Sequence, residues 1–341
     1  MTITFVFIGI FIASYFGVAL FLRWSLKKQL LDIPNERSSH TAPTPRGGGV
    51  VIVAVSLISY LAYCLYGGHQ ILWGYVAGAA LISLISWIDD VYSVSFVWRF
   101  LVHSVAAGLV IYDAGAWQNI YIPGVGIWID FGLAAPVLAF LWIVWLTNAY
   151  NFMDGIDGIS GVQALSAGIG WLLIGYLIGF PVVSFYGGVL AFSSLGFLFH
   201  NWQPARIFLG DVGSAFLGFS FAVIPLLAGA EYSGKSAPLP MIALFLVWFF
   251  VFDTVLTFFS RLIRRQKVWT PHRQHLYQRL VISGSSHSAI SILYGVLSFS
   301  IVLSLIAAIA LRGTFEIVFY SVLSIETLAL TVFALTRKVL T

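Results

Sequence analysis

The polar segment Asn148-Ala-Tyr-Asn151-Phe-Met-Asp154-Gly-Ile-Asp157-Gly-Ile-Ser160-Gly161 separates two long apolar runs, at about 131–147 and 159–179. A hydrocarbon core roughly 30 Å thick requires about 20 apolar residues per helix. The runs therefore predict membrane-spanning helices with a short connection at the membrane surface. If that connection is locally helical, the three-residue spacing puts Asp154 and Asp157 on one face. Two such acids, each followed by glycine, indicate a site for an anionic ligand. A solvated polar loop is the alternative.

The composition excludes a soluble globular protein. Of the 341 residues, 60% are hydrophobic and only 9% are charged, and the mean hydropathy is +0.96. The net charge of +4 is not gathered in a separate basic domain, so we expect no nucleic-acid partner. The single cysteine, Cys64, cannot form an intramolecular disulfide. Met1-Thr-Ile-Thr has no basic segment of the kind that begins a removable signal, so we expect the first helix to be retained.

Apolar periodicity predicts an all-α polytopic membrane protein with about eleven transmembrane helices. We expect one integral-membrane domain over residues 1–341, with no soluble domain. The candidate spans are roughly 3–22, 48–66, 71–88, 99–112, 131–147, 159–179, 183–199, 213–230, 239–260, 288–311 and 315–335.

The distribution of lysine and arginine predicts the orientation. With the N-terminus outside, the cytoplasmic loops hold 15 of the 17 basic residues, and only Lys235 and Arg312 lie outside. Eleven spans then place the C-terminus in the cytoplasm. The polar segments fall on the same side, in predicted catalytic loops at about 23–47, 87–98, 148–160, 200–213 and 261–288.

Further acids cluster at the ends of predicted spans. Asp89 and Asp90 close the third span, and adjacent carboxylates repel each other unless a cation or hydrogen bonds compensate. A helix-terminal charged pair is the alternative. Asp211 stands between glycines at the start of the eighth span, where a helix N-cap is the alternative. Mg²⁺ is commonly bound by one or two carboxylates together with substrate phosphates.

Basic groups accompany these acids. His272 and His275 follow Pro271 in an arginine-rich loop, and phosphate contact or acid–base work fits them better than Mg²⁺ ligation. Membrane orientation alone is the alternative explanation of the arginines. Arg46 precedes three glycines at a helix entrance, where a cation and backbone N–H groups can face an anion. Together these features indicate phosphoryl transfer on a lipid-linked substrate.

These motifs give the chain a resemblance to the polyprenyl-phosphate N-acetylhexosamine-1-phosphate transferases, glycosyltransferase family 4. The resemblance covers nearly the whole chain through five ordered motifs. They are Pro45-Arg46-Gly-Gly, Asp89-Asp90, Asn151-Phe-Met-Asp154-Gly-Ile-Asp157-Gly, Gly210-Asp211-Val-Gly-Ser214 and the histidine loop. The segment Asp32-Ile-Pro-Asn-Glu-Arg-Ser-Ser-His40 resembles the O-antigen-initiating branch.

The resemblance implies transfer of a sugar-1-phosphate from a UDP-sugar to undecaprenyl phosphate, with release of UMP, in the bacterial cytoplasmic membrane. It implies Mg²⁺ as cofactor, with Mn²⁺ as a substitute, held by Asp211 and Asp90. Catalytic roles fall on Asp89, Asp90, Asp154, Asp157 and His275. Substrate-binding roles fall on Arg46, Asn148, Asn151, Arg206, His272, Arg273 and Arg279. The implied partners are undecaprenyl phosphate, a UDP-activated N-acetylated sugar and the bilayer, and a homodimer is left open.

One departure concerns the donor sugar. Many relatives carry His-x-His-His where this chain has His275-Leu-Tyr277-Gln278, so a 6-deoxy N-acetylhexosamine is considered beside an ordinary N-acetylhexosamine. We favour direct attack by the lipid phosphate over a covalent intermediate on an aspartate, although the sequence does not decide between them. A cation-coupled transporter and a lipid-binding scaffold are the competing functions. Of the carboxyls within apolar runs, Asp253 is expected to be held by structural hydrogen bonds.

Overall fold

A computed structural model describes residues 2–34, 42–122, 125–229, 237–267 and 272–337. The described chain is almost entirely helical and forms a multi-pass membrane protein. Its helices are α1 (Thr2–Lys28), α2 (Gly49–Gly67), α3 (Trp73–Tyr92), α4 (Phe96–Ala114), α5 (Ala135–Met153), α6 (Ile159–Ile178), α7 (Pro181–Asn201), α8 (Asp211–Gly229), α9 (Leu239–Leu246), α10 (Trp248–Ile263), α11 (Leu276–Ile282), α12 (His287–Leu311) and α13 (Thr314–Thr336).

The predicted number of spans is confirmed. Ten of the described helices are long and apolar enough to cross a membrane, and α9 and α10 make an eleventh when counted as one bent span. The segment 35–41, the basic residues Arg37, Lys235 and Lys338, and positions 268–271 of the histidine loop lie outside the described residues.

Several helices extend beyond the predicted ends, and this changes the setting of the acids. Helix α3 continues to Tyr92, so Asp89 and Asp90 belong to its last turn. Helix α5 continues to Met153 and includes both Asn148 and Asn151. The hydropathy falls where polar residues begin, so it predicts a helix end that is too early. The backbone hydrogen bonds of the helix continue for another turn.

Helix α8 is the centre of the bundle. It is almost wholly buried and packs against α3, α5, α2 and α7. Its first turn lies directly on the first turn of α2, because a Cβ added to Gly49 would come within 2.2 Å of the Gly213 Cα. Only two glycines allow these backbones to approach so closely. This contact fixes the start of α8 against the Arg46–Gly49 segment.

The span predicted at 239–260 is broken. Helices α9 and α10 are bent by 77° at Val247. A break inside a membrane leaves backbone groups that require new partners. The buried amide of Gln163 in α6 donates to the Leu246 carbonyl at 2.8 Å, and Ser298 in α12 donates to the Gln163 Oε1 at 2.9 Å. The bend redirects α10 toward the end of the bundle that carries the acids.

Two small antiparallel ribbons complete the fold. Strand β1 (Leu31–Asp32) pairs with β2 (Thr44–Pro45), so the two described ends of the first polar loop meet. Strands β3 (Asn119–Ile122) and β4 (Ile127–Asp130) form a ribbon in the connection between α4 and α5. A 3₁₀ turn at Gly132–Ala134 then leads into α5.

Candidate active site

A polar cavity of about 220 Å³ lies at one end of the bundle, where the predicted cytoplasmic loops meet. Its lining combines five carboxylates with one cation, a pair of amides and a histidine. These side chains are Asp32, Asp90, Asp154, Asp157, Asp211, Arg46, Asn201, Gln278 and His287. Of the acids that the sequence places in separate loops, Asp90, Asp154, Asp157 and Asp211 line this one cavity.

Asp90 holds the start of α8. Its Oδ1 accepts the Asp211 N–H at 3.1 Å, and its Oδ2 accepts the Val212 N–H at 3.2 Å. The exposed N–H groups of a helix start attract a carboxylate in this way. Asp90 therefore caps α8 from another helix, and Asp211 is the first residue of that helix rather than its cap. Gly210, at φ +77°, turns the chain so closely past Asp90 that a Cβ would lie 2.6 Å from its Oδ2.

Arg99 of α4 links two of the predicted acids. Its Nη1 donates to the Asp89 Oδ2 at 2.5 Å and to the Asp211 Oδ2 at 2.8 Å. The Asp89 Oδ1 also accepts the Val94 N–H. Neither Asp89 nor Arg99 lines the cavity, and this predicted catalytic acid is connected to the lining residue Asp211 through Arg99. From the sequence, Arg99 is only one of the basic residues that predict the orientation of the chain in the membrane.

Asp154 and Asp157 lie in the tight connection between α5 and α6. Helix α5 ends before Asp154, and Gly158, at φ +82°, precedes α6. The expectation that one helical face carries both acids is therefore wrong, because the helix stops between Asn151 and Asp157. Both carboxyls nevertheless reach the cavity. Burial, together with the nearby Asp90 and Asp157 carboxylates, raises the pKa of Asp154 to about 7.

Asp157 is anchored on several sides. Its Oδ2 accepts the Ala205 N–H at 3.1 Å, and its Oδ1 lies 3.4 Å from the His287 Nδ1. Its carbonyl accepts the Ser291 hydroxyl at 2.7 Å. The next N–H, that of Gly158, donates to the Asn201 Oδ1 at 2.9 Å. The α5–α6 connection is thus fixed to the α7–α8 loop and to the first turns of α12.

His275 has a different setting from the one predicted. It is buried, and its Nδ1 lies 3.0 Å from the Asp253 Oδ1. Asp253 also accepts the Leu276 and Tyr277 N–H groups and the Tyr294 hydroxyl. This confirms the expected structural role of Asp253. His275 lies outside the cavity lining because it is the N-cap of α11 and its ring contacts Asp253 of α10.

Apart from Arg46, the predicted substrate-binding residues lie outside the cavity lining. Asn148 donates to the Val144 carbonyl of its own helix at 2.7 Å, and Asn151 accepts the Ser214 hydroxyl at 2.7 Å. Arg206 is exposed and donates to the Phe199 carbonyl. Burial and the neighbouring charges of His275 and Arg261 lower the pKa of His272 to about 4, so this ring is neutral at pH 7. Arg273 and Arg279 are half-buried near the α11 helix.

The glycines after Arg46 do not offer their N–H groups to an anion as expected. The Gly48 and Gly49 N–H groups donate to the Phe208 and Leu209 carbonyls at 3.0 and 2.9 Å. These glycines serve close packing instead, and the Arg46 side chain itself reaches the cavity. The predicted cation is therefore in place, while the predicted backbone anion site is already used by the fold.

Sequence reasoning missed Asp32, Asn201, Gln278 and His287 as cavity residues. Asp32 opens the segment that resembles the O-antigen-initiating branch but has no predicted role, and Asn201 stands at a predicted loop end without a motif. Gln278 stands where the family resemblance implies the last histidine of a His-x-His-His motif. His287 lies at the boundary of a predicted span, in Ser285-Ser-His-Ser288, where it resembled an ordinary helix start.

The donor set of the cavity suits Mg²⁺. Carboxylate oxygens dominate, whereas Mg²⁺ does not favour imidazole. Within the described ranges, no three His, Cys, Asp or Glu side chains already form a metal cage. Mg²⁺ usually retains sites for substrate phosphates beside one or two carboxylates, so acids spread around a cavity fit it.

Comparison with known proteins agrees with these features. A sequence model described as "Glycosyl transferase family 4" matches residues 72–229, the stretch that holds Asp89, Asp90, Asp154, Asp157 and Asp211. The chain is 31% identical over 315 residues to the decaprenyl-phosphate N-acetylglucosaminephosphotransferase of Mycobacterium leprae, covering 83% of this chain and 77% of that protein.

Two further relatives carry related names. The chain is 30% identical over 275 residues to the "probable undecaprenyl-phosphate N-acetylglucosaminyl 1-phosphate transferase" of Bacillus subtilis, covering 78% of this chain and 73% of that protein. It is 28% identical over 253 residues to a phospho-N-acetylmuramoyl-pentapeptide-transferase of Listeria welshimeri, covering 65% of this chain and 74% of that protein.

Proposed function

The chain belongs to glycosyl transferase family 4, and from this membership and its acidic cavity we propose that it is a polyprenyl-phosphate sugar-1-phosphate transferase. The reaction moves an N-acetylated hexosamine-1-phosphate from a UDP-sugar to undecaprenyl phosphate and releases UMP. The observation that carries the proposal is the convergence of five carboxylates and Arg46 on one cavity at the membrane boundary.

The chemistry follows from the charges of the reactants. An oxygen of the lipid phosphate attacks the sugar-bearing β-phosphorus of the donor. The bond from that phosphorus to the oxygen bridging the two phosphates breaks, and UMP leaves with that oxygen. Two anionic reactants must therefore meet beside several carboxylates, which requires compensating positive charge.

Asp211 and Asp90 are the proposed Mg²⁺ ligands. When bound, Mg²⁺ supplies charge compensation for the phosphate oxygens. Asp90 is oriented for this role because the α8 backbone fixes both of its oxygens. Arg99 holds the Asp211 carboxylate in place from the side of α4. Arg46 adds the second source of positive charge, directly in the cavity.

Asp154 is the proposed proton acceptor. Its pKa of about 7 lies close to the second pKa of a phosphate monoester, about 6, so it can take the last proton from the lipid phosphate near neutral pH. Asp157 is anchored by Ala205 and His287 and is therefore suited to positioning. Direct attack remains our preferred mechanism.

The donor is proposed as a UDP-N-acetylhexosamine. The names of the relatives favour N-acetylglucosamine. Gln278 lines the cavity and stands where the family resemblance implies a histidine, so a 6-deoxy N-acetylhexosamine stays in the comparison. We propose initiation of O-antigen or a related envelope glycan at the cytoplasmic face of the bacterial inner membrane. The basic residues of the loops on the cavity side support that orientation.

The test measures UMP release by the purified protein in detergent with undecaprenyl phosphate, Mg²⁺ and a panel of UDP-sugars that includes 6-deoxy donors. We expect release that requires lipid, metal and one class of donor, and Mn²⁺ is tested as the substitute metal. No release by folded protein with any donor would contradict the proposal. Nothing in the structure or the comparisons supports the transporter alternative, because the mid-span Asp253 is occupied by hydrogen bonds.

A further inference from the structure

His287 is the histidine that reaches the acidic cavity. It is the first residue of α12, and it lines the cavity beside Asp157 and Gln278. Its position is well defined, because the adjacent Ser288 N–H donates to the Gln203 Oε1 at 2.8 Å and Ser286 caps the helix through the Ala289 N–H. The motif histidine, His275, is buried outside this cavity.

The hydrogen bonds of His287 determine which ring nitrogen faces a ligand. The Asp157 N–H donates to the His287 Nδ1 at 3.4 Å. The Asp157 Oδ1 lies equally close to this Nδ1, at 3.4 Å. When Nδ1 accepts the N–H rather than donating to that oxygen, the proton of a neutral ring is on Nε2. Among the residues that the structure describes, no hydrogen bond is made by Nε2. Both contacts to Asp157 use Nδ1, and the ring lines the cavity, so Nε2 is the nitrogen left for a ligand.

We propose that His287 is a substrate-binding residue whose Nε2–H donates to a substrate phosphate oxygen while Nδ1 positions the Asp157 backbone. The inference rests on the proposed function and adds a recognition group on α12. This group binds an anion, whereas the surrounding acids repel one. Under the proposed function two phosphate-bearing substrates meet in this cavity, the diphosphate of the nucleotide donor and the phosphate of the lipid. The shared chemistry is an anionic phosphate oxygen that accepts an N–H.

The test compares His287→Ala, His287→Asn and His287→Gln with the matched control His69→Ala, at the opposite end of the bundle. Glutamine extends its amide toward the position of Nε2, whereas asparagine reaches only the position of Nδ1. A hydrogen bond to a charged group is worth roughly 10- to 100-fold in binding, so we expect kcat/KM to fall by about that factor in the alanine and asparagine variants. The glutamine variant should recover most of the loss, and the control should match the wild type.

Two further readouts distinguish the source of the phosphate. If the nucleotide phosphate is bound, His287→Asn should lose the rise in unfolding temperature that UDP gives the wild type. If the lipid phosphate is bound, that rise should persist and the KM for undecaprenyl phosphate should increase. Either result supports the proposal.

Two results would overturn the proposal. One is a His287→Ala variant whose kcat, both KM values and UDP response lie within twofold of the wild type. The other is an equal loss in all three variants that tracks a fall in unfolding temperature, which would show a purely structural role. A wild type that releases no UMP would count against the proposed function instead, and the UDP response would still report on His287.

Discussion

The acid cluster and the histidine loop lie at the same end of the bundle, yet they satisfy their charges in opposite ways. Around Asp90 and Asp211, the partners come from distant elements and leave the carboxylates lining an open cavity. Around His275, the partner is Asp253, whose oxygens are further occupied by backbone N–H groups and by Tyr294. The carboxylates of the first region can still bind a positive charge. In the second region, the carboxylate of Asp253 holds α10, α11 and α12 together.

The largest effect is expected at the acid cluster. Asp211→Asn removes the proposed metal-binding charge and the carboxylate that Arg99 holds. We expect UMP release to fall by about a thousandfold, as is typical when a preorganised charge that stabilises a transition state is lost. The unfolding temperature should change little. Full activity in this variant would contradict the metal assignment.

The second prediction concerns Asp253. Asp253→Asn leaves the buried Leu276 or Tyr277 N–H groups facing an amide that accepts at only one oxygen. We expect the free energy of unfolding to fall by about 2–3 kcal/mol, the cost of unsatisfied buried donors. Thermal unfolding in detergent measures this loss. An unchanged stability together with lost activity would mean that the histidine loop acts in catalysis.

The third prediction concerns Arg99, which belongs to the acid cluster but, like Asp253, holds its partners in place. Arg99→Gln should leave Asp89 and Asp211 without their shared cation and lower kcat by about tenfold, with a smaller change in Arg99→Lys. Steady-state kinetics of both variants, with circular dichroism as the folding control, make the comparison. Equal activity of the wild type and both variants would show that Asp211 does not need Arg99 as a partner.

The raised pKa of Asp154 predicts how UMP release and stability depend on pH. Because its pKa is raised to about 7, the carboxyl is protonated below that pH, and UMP release limited by its base form should fall about tenfold per pH unit below 7. Since the folded state binds this proton more tightly, the linked stabilisation is full below about pH 4 and is lost as the pH rises through 7. Asp154→Asn should reduce this stability slope, to which the neighbouring acids also contribute. A slope that is unchanged in the variant would assign it to another group.

Sequence periodicity predicts most of the fold because apolar length and basic asymmetry are local properties. The eleven spans and the gathering of Asp90, Asp154, Asp157 and Asp211 follow from them. The break at Val247 does not, because Leu246 relies on Gln163, which is distant in sequence. The hydrogen bonds from α8 to Asp90 and the contact between Arg99 and Asp211 are equally remote along the chain.

The histidines show the same limit. A motif indicates that His275 matters, but its burial against Asp253 depends on how α10 bends away from α9. Conversely, His287 belongs to no motif in the sequence argument and reaches the cavity because α12 begins beside the α5–α6 connection. Spacing along the chain identifies chemical groups, whereas helix packing decides which of them face a ligand.

The most direct test of the contrast measures UMP release per folded molecule for Asp211→Asn and His275→Gln in one assay. The account predicts that the Asp211 variant is as stable as the wild type and nearly inactive. It predicts that the His275 variant unfolds at a lower temperature and retains activity within about tenfold once corrected for folded fraction, because His275 contacts Asp253 rather than the cavity. A stable but inactive His275 variant beside an active Asp211 variant would contradict the account.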